Sequence, residues 1–79
     1  MKYTLHTMAK PRVHNSVREA RTEKGVTQQR LAELTGLARQ SIISIEKSRF
    51  LPTIENALRI SAALDVPVED LFWLKDGSK

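Results

Sequence analysis

From about residue 13 onward, the apolar positions of this 79-residue chain recur at intervals of three and four, the period of helices with one buried face. Val13, Val17 and Ala20 open the series, and Glu23, Lys24 and Gly25 before Val26 supply the basic residue and glycine expected where a helix stops. The first helix is predicted over about 13–24. Thr27 reads as an N-cap whose hydroxyl can accept from the backbone N–H of residue 29 or 30, and Leu31 and Leu34 mark the buried face of a second helix over about 28–34. Gly36 follows almost at once. A turn so short requires a positive φ, which a residue with a Cβ adopts only at a cost. A third helix over about 38–47 then places Ile42 and Ile45 inward, with Arg39, Gln40, Ile43, Ser44 and Lys47 outward or flanking.

The period breaks across residues 48–52 and resumes behind Thr53, a second capping residue. Ile54, Ala57, Leu58, Ser61 and Leu64 give a fourth helix one inward stripe. A short fifth helix runs from Pro67 or Val68 to about Phe72, proline being tolerated in a first turn whose N–H has no intrahelical partner. Residues 1–12 show no clear period and are read as an irregular arm, with a short strand "YTLHT" as the alternative; residues 75–79 are read as a frayed tail. The expectation is an all-α, five-helix domain over 13–74. A chain of this length supports one core and no more.

Charge changes the picture more than composition does. The net charge is +4, but residues 1–53 hold ten Lys or Arg against four acids, whereas residues 54–79 hold three against five. The basic part suits contact with a polyanion, although a solvated basic surface without a partner would give the same count. With no cysteine there is neither a disulfide framework nor a Cys-based zinc site. The segment "MKYTLHTMAKPR" lacks the apolar run of a signal peptide, and no stretch approaches the ~18 apolar residues of a membrane span, so a cytoplasmic protein without membrane contact is expected. His6 and His14 have no carboxylate at ligand spacing, no glycine-rich phosphate loop is present, and no serine has an evident base beside it. These features point away from an enzyme, a metal site and a cofactor.

A helix, a turn carrying Gly36 and a second short helix form a helix-turn-helix, in which the second helix enters the major groove and the first crosses the phosphate backbone. Residues 27–46, "TQQRLAELTGLARQSIISIE", closely resemble the Cro and repressor-type (XRE-like) helix-turn-helix family: Thr-Gln, an apolar-Ala pair, Gly at the turn, then Arg-Gln-x-Ile-x-x-Ile-Glu. The likeness covers roughly residues 13–74, including "ALRISAALDVPVEDLF", and implies a lambda-repressor-like fold and double-stranded DNA as partner.

Arg39 and Gln40 fall in the first turn of the third helix, where Arg can donate two bonds to guanine O6 and N7 and Gln can pair with adenine N6 and N7. Ser44 lies one turn on from Gln40, and Ile43 is placed to meet a thymine methyl unless it is simply an exposed apolar residue. Gln28 opens the second helix, where its side chain and the positive end of the helix dipole can hold a phosphate together, a use the resemblance also implies. The same resemblance assigns Lys47 and Arg49 to phosphates. Ser41 adds a hydroxyl to that set, and Lys10, Arg12 and Arg18 are weaker candidates. Glu46, beside the inward Ile45, needs a partner to offset its desolvation. In the family an Arg on the first helix supplies it, which here is Arg21. This sequence departs from the family pattern at Ala38, Ser48 and Pro67, where a capping Ser or Thr, a Gly and a capping Ser are usual.

One reading helix covers too few base pairs for specificity in a genome, so a homodimer on a roughly palindromic operator is expected. The apolar run Leu71, Phe72, Trp73 and Leu74 is its predicted contact, with Trp73 as an intramolecular lid over the first and fifth helices as the other option. Repression by occluding a promoter is the favoured mechanism. The family also contains antitoxins that repress their own operons, and under that reading the arm or the apolar tail would bind a toxin.

Overall fold

The computed structural model describes residues 13–74. Along the chain run β1 (Val13–Asn15), α1 (Val17–Glu23), α2 (Gln28–Thr35), α3 (Arg39–Glu46), α4 (Ile54–Leu64), α5 (Val68–Leu71) and β2 (Phe72–Leu74). Five helices are present, as the apolar period predicts, with α1 beginning four residues later than expected. Val17, Ala20, Leu31, Ala32, Ile42, Ile45, Ile60, Leu64 and Leu71 meet in one core, with Val26, Leu37, Ala63, Val66 and Phe72 packed against it.

The fold departs from an all-helical chain at its two ends. Val13 does not start α1: it pairs with Leu74, His14 with Trp73 and Asn15 with Phe72, in a two-stranded antiparallel ribbon. Asn15 then turns the chain into the helix. Its Oδ1 accepts from the Val17 N–H at 3.1 Å, and its Nδ2 donates to the Ile45 carbonyl at 3.0 Å and to Ser48 Oγ at 3.3 Å. Ser16 ties the other side, its N–H donating to the Leu71 carbonyl and its hydroxyl to the Asp70 carbonyl, both at 2.9 Å. The terminal carbonyls of α5 are thus satisfied by the residue that precedes α1. "YTLHT" and the tail 75–79 lie outside the described residues.

Two predicted apolar faces are also corrected. Leu34 is exposed, and the buried face of α2 is Leu31, Ala32 and Thr35, whose hydroxyl donates to the Leu31 carbonyl at 2.8 Å. On α4 the inward residues are Ile60 and Leu64, with Ala57 and Ser61 half-buried, while Ile54 and Leu58 face out. The period of the helix is right. Its phase differs, because the first apolar residue of α4, Ile54, belongs to the outer side.

The caps explain where the helices stop. Thr27 Oγ1 accepts from the Arg30 N–H at 3.0 Å, and Thr53 Oγ1 accepts from the Asn56 N–H at 3.1 Å. Gly36 closes α2 at φ +77°, with the Arg59 guanidinium reaching over from α4 to the Thr35 carbonyl at 3.3 Å. α1 ends in a Schellman motif: Gly25 sits at φ +72°, its N–H bonded to the Thr22 carbonyl, and the Val26 N–H to that of Arg21. α3 ends in the same motif with serine where α1 has glycine. Ser48 is held at φ +60°, its N–H on the Ile45 carbonyl and the Arg49 N–H on that of Ser44.

α1 and α3 are joined by the expected ion pair. Arg21 Nε meets Glu46 Oε2 at 2.7 Å and Arg21 Nη2 lies 3.3 Å from Oε1, in side-on bidentate geometry, with the side chains 10% and 5% exposed. Arg21 Nη1 also donates to the Val26 carbonyl at 2.9 Å, which ties the α1–α2 turn to the same group.

Two outcomes follow for stability. Ser48→Gly relieves a left-handed conformation that costs a residue with a Cβ about 1 kcal/mol, and should raise the thermal midpoint by about 4–8 °C in calorimetry. An unchanged midpoint would mean the turn is unstrained. Glu46→Ala leaves the Arg21 charge buried without its counter-ion and should lose about 3–5 kcal/mol in urea unfolding, whereas Arg21→Met combined with Glu46→Leu should lose much less. A double variant as unstable as the single one would show that packing, rather than charge, dominates at this junction.

Candidate nucleic-acid interface

The outward face of α3 follows from its own period. With ~100° between successive residues, Arg39, Ile43 and Lys47 climb one side of the exposed surface, and Gln40 and Ser44 climb the other. Arg39, Gln40 and Lys47 are exposed, and Ile43 and Ser44 are half-buried at its edges. Ile42 and Ile45 point away and are buried completely or nearly so. Ala38 stands at the N-cap in an extended conformation and makes no side-chain cap. The missing capping serine therefore leaves the helix start in place. Ser41 is half-buried on the flank opposite Arg39 and Lys47, and Arg49 is exposed beyond the end of the helix.

Between α3 and the α1–α2 turn lies an open groove of about 690 Å³, lined by Arg18, Thr27, Gln28, Arg39, Ile43 and Lys47 above the Arg21–Glu46 pair. Glu46 is its one acidic lining residue among the described residues, and Arg21 already neutralises it. Arg18, Arg39 and Lys47 remain, so the groove is a cationic depression with a helix N-terminus at one wall. Arg18, which a basic first helix could equally leave merely solvated, belongs to it. Lys10 and Arg12 lie outside the described residues.

Gln28 is placed by its neighbours. Its Nε2 donates to Glu46 Oε1 at 3.1 Å, and its Oε1 accepts from Arg39 Nη2 at 3.4 Å. A carboxylate can only accept and a guanidinium can only donate, so the two contacts fix which end of the amide faces which. A chain of contacts thus runs from the Val26 carbonyl through Arg21, Glu46 and Gln28 to Arg39, joining the buried ion pair to the exposed head of α3. Gln28, expected at a phosphate, is half-buried and engages both ends of its amide in these contacts within the chain. Sequence reasoning missed the role of Asn15, whose only signal is an amide residue just before a helix start.

The tail run is spent largely inside the chain. Leu71, predicted as a dimer contact, is 0% exposed in the core and cannot offer surface to a partner. Phe72 packs against that core, and Phe72, Trp73 and Leu74 are half-buried in β2. Trp73 stacks on His14 across the ribbon, ring centroids 6.2 Å apart. Large apolar side chains are exposed elsewhere, at Leu34, Phe50, Leu51, Ile54 and Leu58. Among the described residues no group of three or more His, Asp or Glu could hold a metal, and no helix is long and apolar enough to cross a membrane.

Known proteins share this arrangement. Residues 17–71 match the helix-turn-helix family. An HTH-type transcriptional regulator of Methanothermobacter thermautotrophicus is 48% identical over 65 residues, which is 80% of this chain and 94% of that protein. Among solved structures, the restriction-modification controller protein C.AhdI of Aeromonas hydrophila superposes with a TM-score of 0.66 at 35% identity, over 68% of this chain and 82% of its own. The biofilm master regulator SinR of Bacillus subtilis, solved in complex with DNA, gives 0.63 at 37%, over 67% and 86%. With an exposed α3, a cationic groove beside it and these likenesses along most of its length, the chain belongs to the XRE-type helix-turn-helix family of DNA-binding transcriptional regulators.

Proposed function

We propose that the protein is a homodimeric repressor that reads a roughly palindromic operator by laying α3 in the major groove. The observation that carries this reading is the exposed first turn of α3, where Arg39 and Gln40 stand beside the cationic groove at the α2 N-terminus. Arg39, Gln40, Ile43 and Ser44 meet base edges, Arg39 by a bidentate bond to guanine and Gln40 to adenine. Gln28, Ser41, Lys47 and Arg49 meet phosphates, and Arg18 joins them from the groove wall. SinR having been seen on DNA supports a duplex as the ligand.

Two copies place their α3 helices about 34 Å apart, one turn of duplex, so that each reads one half-site. The protein then represses by occupying promoter DNA at a concentration set by its own synthesis.

In vitro selection of bound duplexes tests the assignment. Arg39→Ala should relax preference at one base position per half-site at a cost of about 1–3 kcal/mol, whereas Lys47→Ala should weaken all duplexes alike and reduce the salt slope by about 1. Equal losses on every duplex for Arg39→Ala would remove it from the base-reading set. No binding to any duplex at low salt would overturn the whole reading.

A further inference from the structure

α4 buries one row of side chains and exposes another that the fold does not use. Ile60 and Leu64 enter the core, while Ile54 is 78% exposed, Leu58 52%, and Ala62 exposed as well. Ile54, Leu58 and Ala62 follow one another at four-residue intervals and so share one face. Phe50 and Leu51, in the loop that enters α4, add side chains 49% and 53% exposed. Together they form an apolar surface of roughly several hundred Å², at the upper end of what a monomer tolerates and a large part of the ~800 Å² that each partner gives to a stable interface.

Charge beside the stripe tells which occupant fits. Glu55 and Arg59 flank it and face each other at 2.7 Å, so the border carries both signs and no net charge. That suits neither an anionic membrane nor a strongly charged ligand. A second copy laid antiparallel presents the same two signs in reverse order, so each Glu55 finds a partner Arg59 within reach and each Arg59 a partner Glu55. The stripe grades from Ile54 through Leu58 to Ala62, which lets a bulky end meet a small one when the partner is reversed. Its position fits too. The patch begins in the loop that follows α3, and none of Phe50, Leu51, Ile54, Leu58 or Ala62 lines the cationic groove that holds Arg39.

We propose that this face of α4, with Phe50 and Leu51, is the two-fold interface between two copies of the chain, with Leu58 next to the axis. The proposal rests on the dimeric reading above and replaces residues 71–74 as its contact. A residue on a two-fold axis meets its own copy, and the chain has no cysteine of its own.

Leu58→Cys under mild oxidation should therefore run at twice the 9.0 kDa chain mass in a non-reducing gel, and Trp73→Cys at the single mass. Linkage at Trp73→Cys but not at Leu58→Cys overturns the proposal. Sedimentation equilibrium covers the case in which neither links: wild type at ~100 µM should have twice the chain mass, and Ile54→Asp with Leu58→Asp should fall to the single mass with unchanged far-UV helicity. A monomeric wild type, or a double variant that stays dimeric, also overturns it. Duplex titration separates this result from the DNA-binding reading. The double variant should keep half-site binding but lose at least ~10-fold on the full operator, whereas a wild type that dimerises yet binds no duplex sinks the DNA-binding reading and leaves the interface standing.

Discussion

Glu46 carries a carboxylate into the junction of α1, α2 and α3, where water hardly reaches it. A charge in that position has to be matched oxygen by oxygen, because desolvation without partners costs more than the fold of a small domain can offset. Arg21 answers both oxygens and Gln28 adds a third donor. Three helices must therefore meet at one relative orientation for the group to be tolerated. Apolar contact between helices is undirected, whereas the hydrogen bonds at this junction depend on distance and angle and so favour one relative orientation. Arg39 is tied to the same carboxylate through Gln28, so the exposed first turn of α3 is linked to a group held in the interior.

Much of this was legible in the sequence because it rests on local rules. Thr27, Thr53, Gly25 and Gly36 announce helix ends through bonds and dihedrals that involve only a few neighbouring residues, and the helices begin and end within a residue or two of those signals. The Arg21–Glu46 contact, 25 residues apart in the chain, was reached through family resemblance rather than from spacing. What escaped depends on tertiary partners. Val13 has helical spacing from Val17 yet pairs with Leu74, a residue 61 positions away that no local pattern can point to. The phase of α4 escaped for a related reason: Ile54 and Leu58 are as apolar as Ile60 and Leu64, and only packing against α2 and α5 decides which row is inside.

Ser48 and Ala38 show how far the framework tolerates departures from the family pattern. Ser48 takes the left-handed conformation a glycine would take freely, because the two backbone bonds of the Schellman motif, with Asn15 beside it, hold the turn. Ala38 lacks a capping hydroxyl, yet α3 still starts at Arg39. In both cases the helix boundary is set by its surroundings as well as by the residue at the boundary, so substitution there adjusts stability more readily than architecture.

The ribbon has a topological consequence. Because Val13 and Leu74 are paired residues of adjacent strands, the chain enters and leaves the domain side by side, about 5 Å apart. A linker of a few residues could close that gap and new ends could be opened in an exposed loop, giving a circularly permuted form with every helix in its native place. The same proximity lets the unit be spliced into a surface loop of a larger protein, since a host loop needs to part by little more than the spacing of two strands to admit it.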